Sequence, residues 1–73
     1  MRGIEIPFEY VNLVDLDFFN LHSKGVFIDG DKKAVIVIEP DEVFMKSLKR
    51  LNVKYKELPE EETYRYVKDI LIG

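Results

Sequence analysis

The residues Ala34-Val35-Ile36-Val37-Ile38-Glu39-Pro40-Asp41-Glu42 are the clearest indication of the architecture, because an unbroken apolar run passes there directly into a helix-like segment. A short apolar run rich in β-branched residues predicts a strand that is buried on both faces. Pro40 is typical of the first turn of a helix, and the acids Asp41 and Glu42 place negative charge near its positive end. We therefore predict a buried strand over 34–38 that leads into a helix.

The residues before this strand predict a hairpin. Val26-Phe27-Ile28 and the run 34–38 flank the polar, turn-rich stretch Asp29-Gly30-Asp31-Lys32-Lys33, whose length suits a connection between antiparallel strands. Asp29-Gly30-Asp31 also resembles the opening of a calcium loop, but Lys33 and Ala34 stand where that loop needs an oxygen ligand and a glycine. We therefore interpret the stretch as an ordinary turn.

The residues after Pro40 continue with helical and then strand periodicity. Phe44, Leu48 and Leu51 recur at the spacing of one helix face. Residues 53–57 alternate between apolar and charged side chains, which is typical of a strand with one buried face. A second helix is predicted from Pro59 onward. Its apolar side consists of Tyr64, Val67, Ile70 and Leu71.

The N-terminal third is harder to interpret. Apolar residues alternate with other residues over 4–10, which predicts a half-buried strand, and Pro7 would confine that strand to a sheet edge. Between Asn12 and Ser23 the apolar spacing, which includes Val14, fits both a bulged strand and a short helix.

Together these elements predict a single domain over residues 1–73 of the α+β class. The predicted order is strand, short helix or strand, strand, strand, helix, strand, helix. We expect a small mixed sheet in which strands 34–38 and 53–57 run parallel, with two helices packed on one face.

Composition excludes several functional classes. The chain has 73 residues, 47% of them hydrophobic and 34% charged, with a net charge of −3, which is typical of a globular domain. It has no cysteine, which excludes disulfides and thiolate zinc sites. Because it also has only one histidine, few of its side chains could serve in nucleophilic catalysis. Abundant Lys and Glu without Gln or Cys also suggest a protein adapted to high temperature.

The chain shows no sign of a membrane segment. No apolar run approaches the roughly 18 residues that a membrane span needs, and the first residues lack the apolar core of a signal peptide. We therefore expect a cytoplasmic protein with no membrane partner.

Acidic side chains are predicted to gather at one end of the sheet. If strands 34–38 and 53–57 are parallel, they end at the same edge, which we call the rim. The rim would bring together His22, Glu39, Asp41 and Glu57, a set that predicts a site for Mg²⁺, Mn²⁺ or Ca²⁺. Acids in the first turn of a helix also occur as simple stabilising groups, and they repel phosphate, so we expect no nucleotide ligand.

Four aromatic side chains suggest an interface. A small core cannot bury all four of these side chains, Phe18, Phe19, Tyr64 and Tyr66. An exposed aromatic patch is typical of contacts between subunits. The five basic residues over 46–56 are interpreted as a solvated face, without an aromatic platform for nucleic acid. We expect a homo-oligomer or a protein partner and no nucleic acid.

The span from about Leu21 to Glu62 resembles one repeat of the pentein fold. In guanidine-modifying enzymes of that family, a Leu-His segment supplies a catalytic histidine, and the resemblance implies this role for His22, which follows Leu21. A complete pentein site needs several repeats and a cysteine, whereas this chain offers one such module and no cysteine, so we do not assign it to the family.

The leading functional hypothesis is therefore a small non-enzymatic protein that acts through self-association or through binding another protein. The alternative is a module that binds a divalent cation, or a weak metal-dependent hydrolase, at the acidic rim.

Overall fold

The computed structural model describes residues 1–13 and 15–72, with the side chains of Leu13 and of residues 69–72 outside that description. The predictions for Val14 and for the side chains of Ile70 and Leu71 therefore lie outside the described residues. The elements in chain order are β1 (Gly3–Pro7), a 3-10 helix (Phe8–Leu13), α1 (Leu16–Leu21), β2 (Gly25–Asp29), β3 (Ala34–Ile38), α2 (Glu42–Arg50), β4 (Lys56–Glu57) and α3 (Glu60–Ile72).

The strands form one four-stranded sheet in the order β2-β3-β1-β4, which confirms the predicted small α+β fold. The predicted hairpin of β2 and β3 is confirmed, with Phe27 opposite Ile36. All three strand pairs are antiparallel, which corrects the prediction of a mixed sheet. β3 and β4 therefore run in the same direction, as predicted, but β1 lies between them and separates the expected parallel neighbours.

The N-terminal strand is central, which corrects its predicted position at a sheet edge. β1 pairs with β3 along its whole length, and with β4 only at Ile4 and Glu5. Pro7 is tolerated because β4 does not extend that far, so the missing N–H of Pro7 leaves no strand partner unsatisfied there. Beyond Pro7 the chain turns into the 3-10 helix, which ends the predicted strand early.

The ambiguous segment before β2 is helical. α1 begins after Asp15, whose side chain accepts a hydrogen bond from the backbone N–H of Asp17. Phe19 is fully buried on the inner side of α1, while Leu16 and Leu21 remain exposed. The short-helix alternative is therefore confirmed over Leu16–Leu21.

The two faces of the sheet carry separate cores, and this corrects the predicted placement of the helices. On the front face, Val35 and Val37 pack with Phe19 of α1 and Phe44 of α2. On the back face, other core residues meet the third helix. They are Ile36, Ile38 and Leu58, packed against Tyr66 and Val67 of α3.

The helices therefore lie on both faces, α1 and α2 in front and α3 behind. Every residue of β3 is buried, so both of its faces need cover. Two helices on a single face would leave Ile36 and Ile38 in water.

Local capping explains the bounds of α2. Asp41 is the N-cap, since its Oδ1 accepts a hydrogen bond from the Phe44 N–H at 2.8 Å. At the other end Asn52 adopts φ = 58°, and the Val53 N–H donates to the Leu48 carbonyl at 2.9 Å. The helix predicted from Pro40 thus begins at Glu42 and ends at Arg50.

The segment predicted as strand 53–57 pairs only at Lys56–Glu57. Its alternation is nevertheless present, because Val53 is buried and Tyr55 half-buried, whereas Lys54 and Lys56 are exposed.

The turn between β2 and β3 is tied to α3 by a short polar network. Asp29 Oδ1 accepts the backbone N–H groups of Asp31 and Lys32, both at 3.1 Å. Tyr66 donates its hydroxyl to Asp29 Oδ2 at 2.6 Å. This hydrogen bond and burial of the ring raise the pKa of Tyr66, burial being the larger cause.

Of the helices that the structure describes, none is long and apolar enough to cross a membrane.

Candidate functional site

The rim exists as a structural unit at the end of the sheet where β3 ends and β1 and β2 begin. Ile38 lies opposite Gly3 of β1 and Gly25 of β2, and Glu57 at the end of β4 lies opposite Ile4. The predicted convergence of His22, Glu39, Asp41 and Glu57 at this end therefore follows from the strand directions. The sequence reasoning missed Arg2, which reaches the rim because β1 starts there.

His22 and Asp41 form a close pair. His22 Nδ1 lies 2.8 Å from Asp41 Oδ2, and the Asp41 backbone N–H donates to the His22 carbonyl at 2.9 Å. The imidazole packs on the ring of Phe18, with 4.7 Å between ring centroids. This pair links the end of α1 to the start of α2.

The electrostatic state of Asp41 follows from these contacts. The hydrogen bond from the Phe44 N–H and, second, the one to His22 lower the pKa of Asp41. Asp41 is therefore ionised at neutral pH, and its Oδ2 can accept a hydrogen bond from the His22 ring. The neighbouring hydroxyl of Ser23 donates to the Phe19 carbonyl, so it is engaged in a structural contact.

Arg2 contacts Glu39 and Glu57, the two other carboxylates of the predicted metal site. Its guanidinium lies 2.5 Å from Glu57 Oε1, and this hydrogen bond is the main cause that raises the pKa of Arg2. The Arg2 backbone N–H donates to Glu39 Oε1 at 3.0 Å, and the Glu39 N–H donates to the Arg2 carbonyl at 2.8 Å. These two bonds hold Glu39 in a left-handed conformation, φ = 51°, that a non-glycine residue seldom adopts.

The predicted metal ligands thus divide into separate contacts. His22 pairs with Asp41, whereas Glu39 and Glu57 each contact Arg2. Among the side chains that the structure describes, which exclude those of residues 13, 14 and 69–73, no three from His, Asp or Glu lie close enough together to hold a metal ion. Binding of Mg²⁺, Mn²⁺ or Ca²⁺ stays a prediction for titration, and a metal would have to displace Arg2 to use all four ligands.

The four aromatic residues predicted for an interface differ widely in exposure. Phe19 is 0% exposed and belongs to the front core, so it offers no surface to a partner, and its prediction as an interface residue is corrected. Phe18 is half-buried and stacks on Phe44 with centroids 5.6 Å apart. Tyr66 is half-buried above Phe27, and Tyr64 is 51% exposed.

The sequence reasoning missed the free edge of β2. In the part of the chain that the structure describes, this strand borders the sheet and pairs with β3 on one side only. Ile28 in the strand is 69% exposed, and Leu16 and Leu21 of the adjoining α1 are 47% and 77% exposed. The lack of charged residues in Val26-Phe27-Ile28 could have indicated an unprotected edge. Which strand lies at the edge, however, depends on the insertion of β1 between β3 and β4, which local sequence does not predict.

A cavity of about 250 Å³ opens at the rim on the back face. Gly25, Phe27, Ile38 and Val67 form its apolar part, and Met1, Lys24 and Glu39 complete its lining. Because Gly25 has no side chain, space remains between β2 and α3 at this point.

Comparison with known proteins finds no family model, no curated protein and no solved structure that matches the chain. The site is therefore interpreted from its own geometry.

Proposed function

We propose that this protein works by self-association, in which β2 pairs in antiparallel fashion with β2 of a second copy. The observation that supports the proposal is the difference between the two edges of the sheet. An edge strand presents unpaired backbone N–H and C=O groups, which can template pairing with another chain.

The two edges differ in length and in chemistry. β4 consists of two exposed residues, Lys56 and Glu57, and such short, charged edges resist pairing. β2 extends over five residues, Gly25–Asp29, with neither lysine nor proline within it. Ile28 projects from this strand with 69% of its surface exposed. β2 therefore lacks the usual protection of a free edge.

Apolar surface next to β2 enlarges this potential interface. α1 contacts β2 and carries the exposed side chains Leu16 and Leu21. Exposed apolar residues beside an open strand edge are typical of contacts between subunits. A chain of 73 residues also buries little surface alone and gains stability from a partner.

The charges that flank β2 favour a second copy as the occupant. Lys24 precedes the strand, whereas Asp29 ends it and Asp31 follows in the turn. Antiparallel pairing places the beginning of one strand beside the end of the other. Each Lys24 would then approach the acidic end of the partner strand, so the edge is complementary to itself.

Sedimentation analysis of three proteins tests the proposal. We expect the unmodified chain to form a dimer, and Ile28→Lys to be a monomer because a lysine on the edge strand opposes pairing. Val43→Lys is the matched control, since Val43 is an exposed aliphatic residue, 50% exposed, on α2. It should dimerise as the unmodified chain does.

Two results would contradict the proposal. One is a strictly monomeric unmodified chain at high concentration. The other is dissociation by Tyr64→Lys with no effect of Ile28→Lys, which would place the interface on the aromatic surface of α3 instead.

A further inference from the structure

We infer that the rim cavity binds a small zwitterion with an apolar side chain, that is, a free apolar α-amino acid. The cavity lies between the back face of the sheet and α3, whereas the proposed self-association uses the outward edge of β2. The two proposals therefore use different surfaces but share Lys24, which precedes β2, so Glu39→Gln and Val67→Trp are the variants that test the cavity alone.

The walls of the cavity select an apolar group. Phe27, Ile38 and Val67 line it, and Gly25 leaves open space beside them. A β-carbon added at Gly25 would meet the Phe27 ring at 3.6 Å and Ile38 Cβ at 3.8 Å, which are ordinary contact distances. The volume of about 250 Å³ is below the roughly 300–1,000 Å³ of pockets for drug-sized ligands, so a ligand of amino-acid size is appropriate.

Two side chains that line the cavity are charged, Lys24 and Glu39, and the ammonium group of Met1 is paired with Glu60 at 3.3 Å. Gly25 lies opposite Ile38, and the preceding Lys24 and the following Glu39 are therefore neighbours across the strand pair. The Lys24 backbone N–H donates to the Ile38 carbonyl at 2.9 Å, which fixes this arrangement. Among the ion pairs of the described residues, Lys24 and Glu39 do not pair with each other.

Opposite charges at one opening favour a ligand that carries both charges. A ligand carboxylate can pair with Lys24, and its ammonium group with Glu39, whose carboxylate is oriented by the Arg2 N–H. A purely anionic ligand would leave Glu39 without a partner of opposite charge. A purely cationic ligand would leave Lys24 without one. The pair therefore discriminates against ligands with a single charge.

Calorimetric titration of the full chain tests the inference. L-Leucine should give saturable heat. N-Acetyl-L-leucine lacks the ammonium, L-leucinamide lacks the carboxylate, and L-alanine lacks the larger side chain. We expect each analogue to bind about tenfold more weakly or worse, because each leaves a charged group or apolar wall unpaired.

Matched variants locate the binding site. Lys24→Gln and Glu39→Gln should each weaken binding of L-leucine about tenfold, and Val67→Trp should abolish it by filling the cavity. Lys49→Gln, at an exposed lysine on α2, is the control and should bind L-leucine normally. Ile28→Lys should also bind normally, which separates this site from the dimer edge.

Three results would overturn the inference. The first is no saturable heat with either L-leucine or L-phenylalanine. The second is equal binding of L-leucine and its two singly charged analogues. The third is an equal effect of Lys24→Gln and Lys49→Gln, which are both surface changes that leave the core intact.

Discussion

At the scale of single residues, Asp41 makes the most consequential contacts. One carboxylate oxygen caps α2 through the Phe44 N–H, and the other binds His22. Two helices that are distant in the sequence are thus joined by one side chain. The acid was predicted in the first turn of a helix, but its contact with His22 depends on the packing of α1 beside α2.

Asp41 should make the stability of the fold depend on pH. Its pKa is lowered in the folded protein, so its contribution is present above the unfolded value of about 3.9 and is lost as the pH falls through the folded pKa. Asp41→Asn keeps an N-cap but removes the charge. We expect it to unfold at lower urea concentration than the unmodified chain at pH 7.

The same comparison at low pH is the control. Below the folded pKa the aspartate is protonated, so the two proteins should unfold at nearly equal urea concentrations. A difference that persists unchanged into strong acid would show that the charge of Asp41 is not the cause.

At the scale of elements, α3 approaches β1 closely at Gly3. A β-carbon at Gly3 would lie 2.6 Å from Thr63 Oγ1 and 2.9 Å from Thr63 Cγ2. Thr63 is fully buried and donates its hydroxyl to the Pro59 carbonyl, so it cannot move aside freely. The glycine therefore allows the first turn of α3 to rest on the back face.

Gly3→Ala should destabilise the fold by about 1–3 kcal/mol, the usual cost of overpacking a core. Gly3→Ala combined with Thr63→Ala should recover much of that loss, because the shorter side chain removes the clash. Urea unfolding of both single variants and the double variant measures the coupling. Strictly additive effects would contradict the contact between Gly3 and Thr63.

Some elements follow from the sequence because their signals are local. The hairpin turn at Asp29-Gly30-Asp31 and the start of α2 at Asp41 depend only on neighbouring residues. The alternation of Val53 and Tyr55 gave the correct inner side, although β4 itself is shorter. Such features can be predicted from sequence because turns and helix caps depend on hydrogen bonds between residues a few positions apart.

At the scale of the whole molecule, the sequence could not reveal the strand order. The insertion of β1 between β3 and β4 joins residues at least 27 positions apart, since the nearest pair is Pro7 with Ala34, and no local pattern encodes that pairing. The same insertion brings Arg2 to the predicted metal ligands and leaves β2 at the edge. The distribution of helices over both faces follows from β3, whose five apolar residues need cover on each side.

The proposed function also depends on the arrangement of the whole sheet. The molecule has one short charged edge, one longer apolar edge, and a cavity whose opening carries both signs of charge. The proposed self-association through β2 would use the longer edge, where half of the strand's backbone N–H and C=O groups point away from β3.

Amide hydrogen exchange of β2 as a function of protein concentration tests whether this strand pairs with a second copy. At high concentration the outward N–H groups of Gly25–Asp29 should exchange slowly, because they are bonded to a second copy. On dilution these amides should exchange rapidly, while those of β3 stay protected at every concentration. Rapid exchange of the outward β2 amides at all concentrations would contradict self-association through this edge.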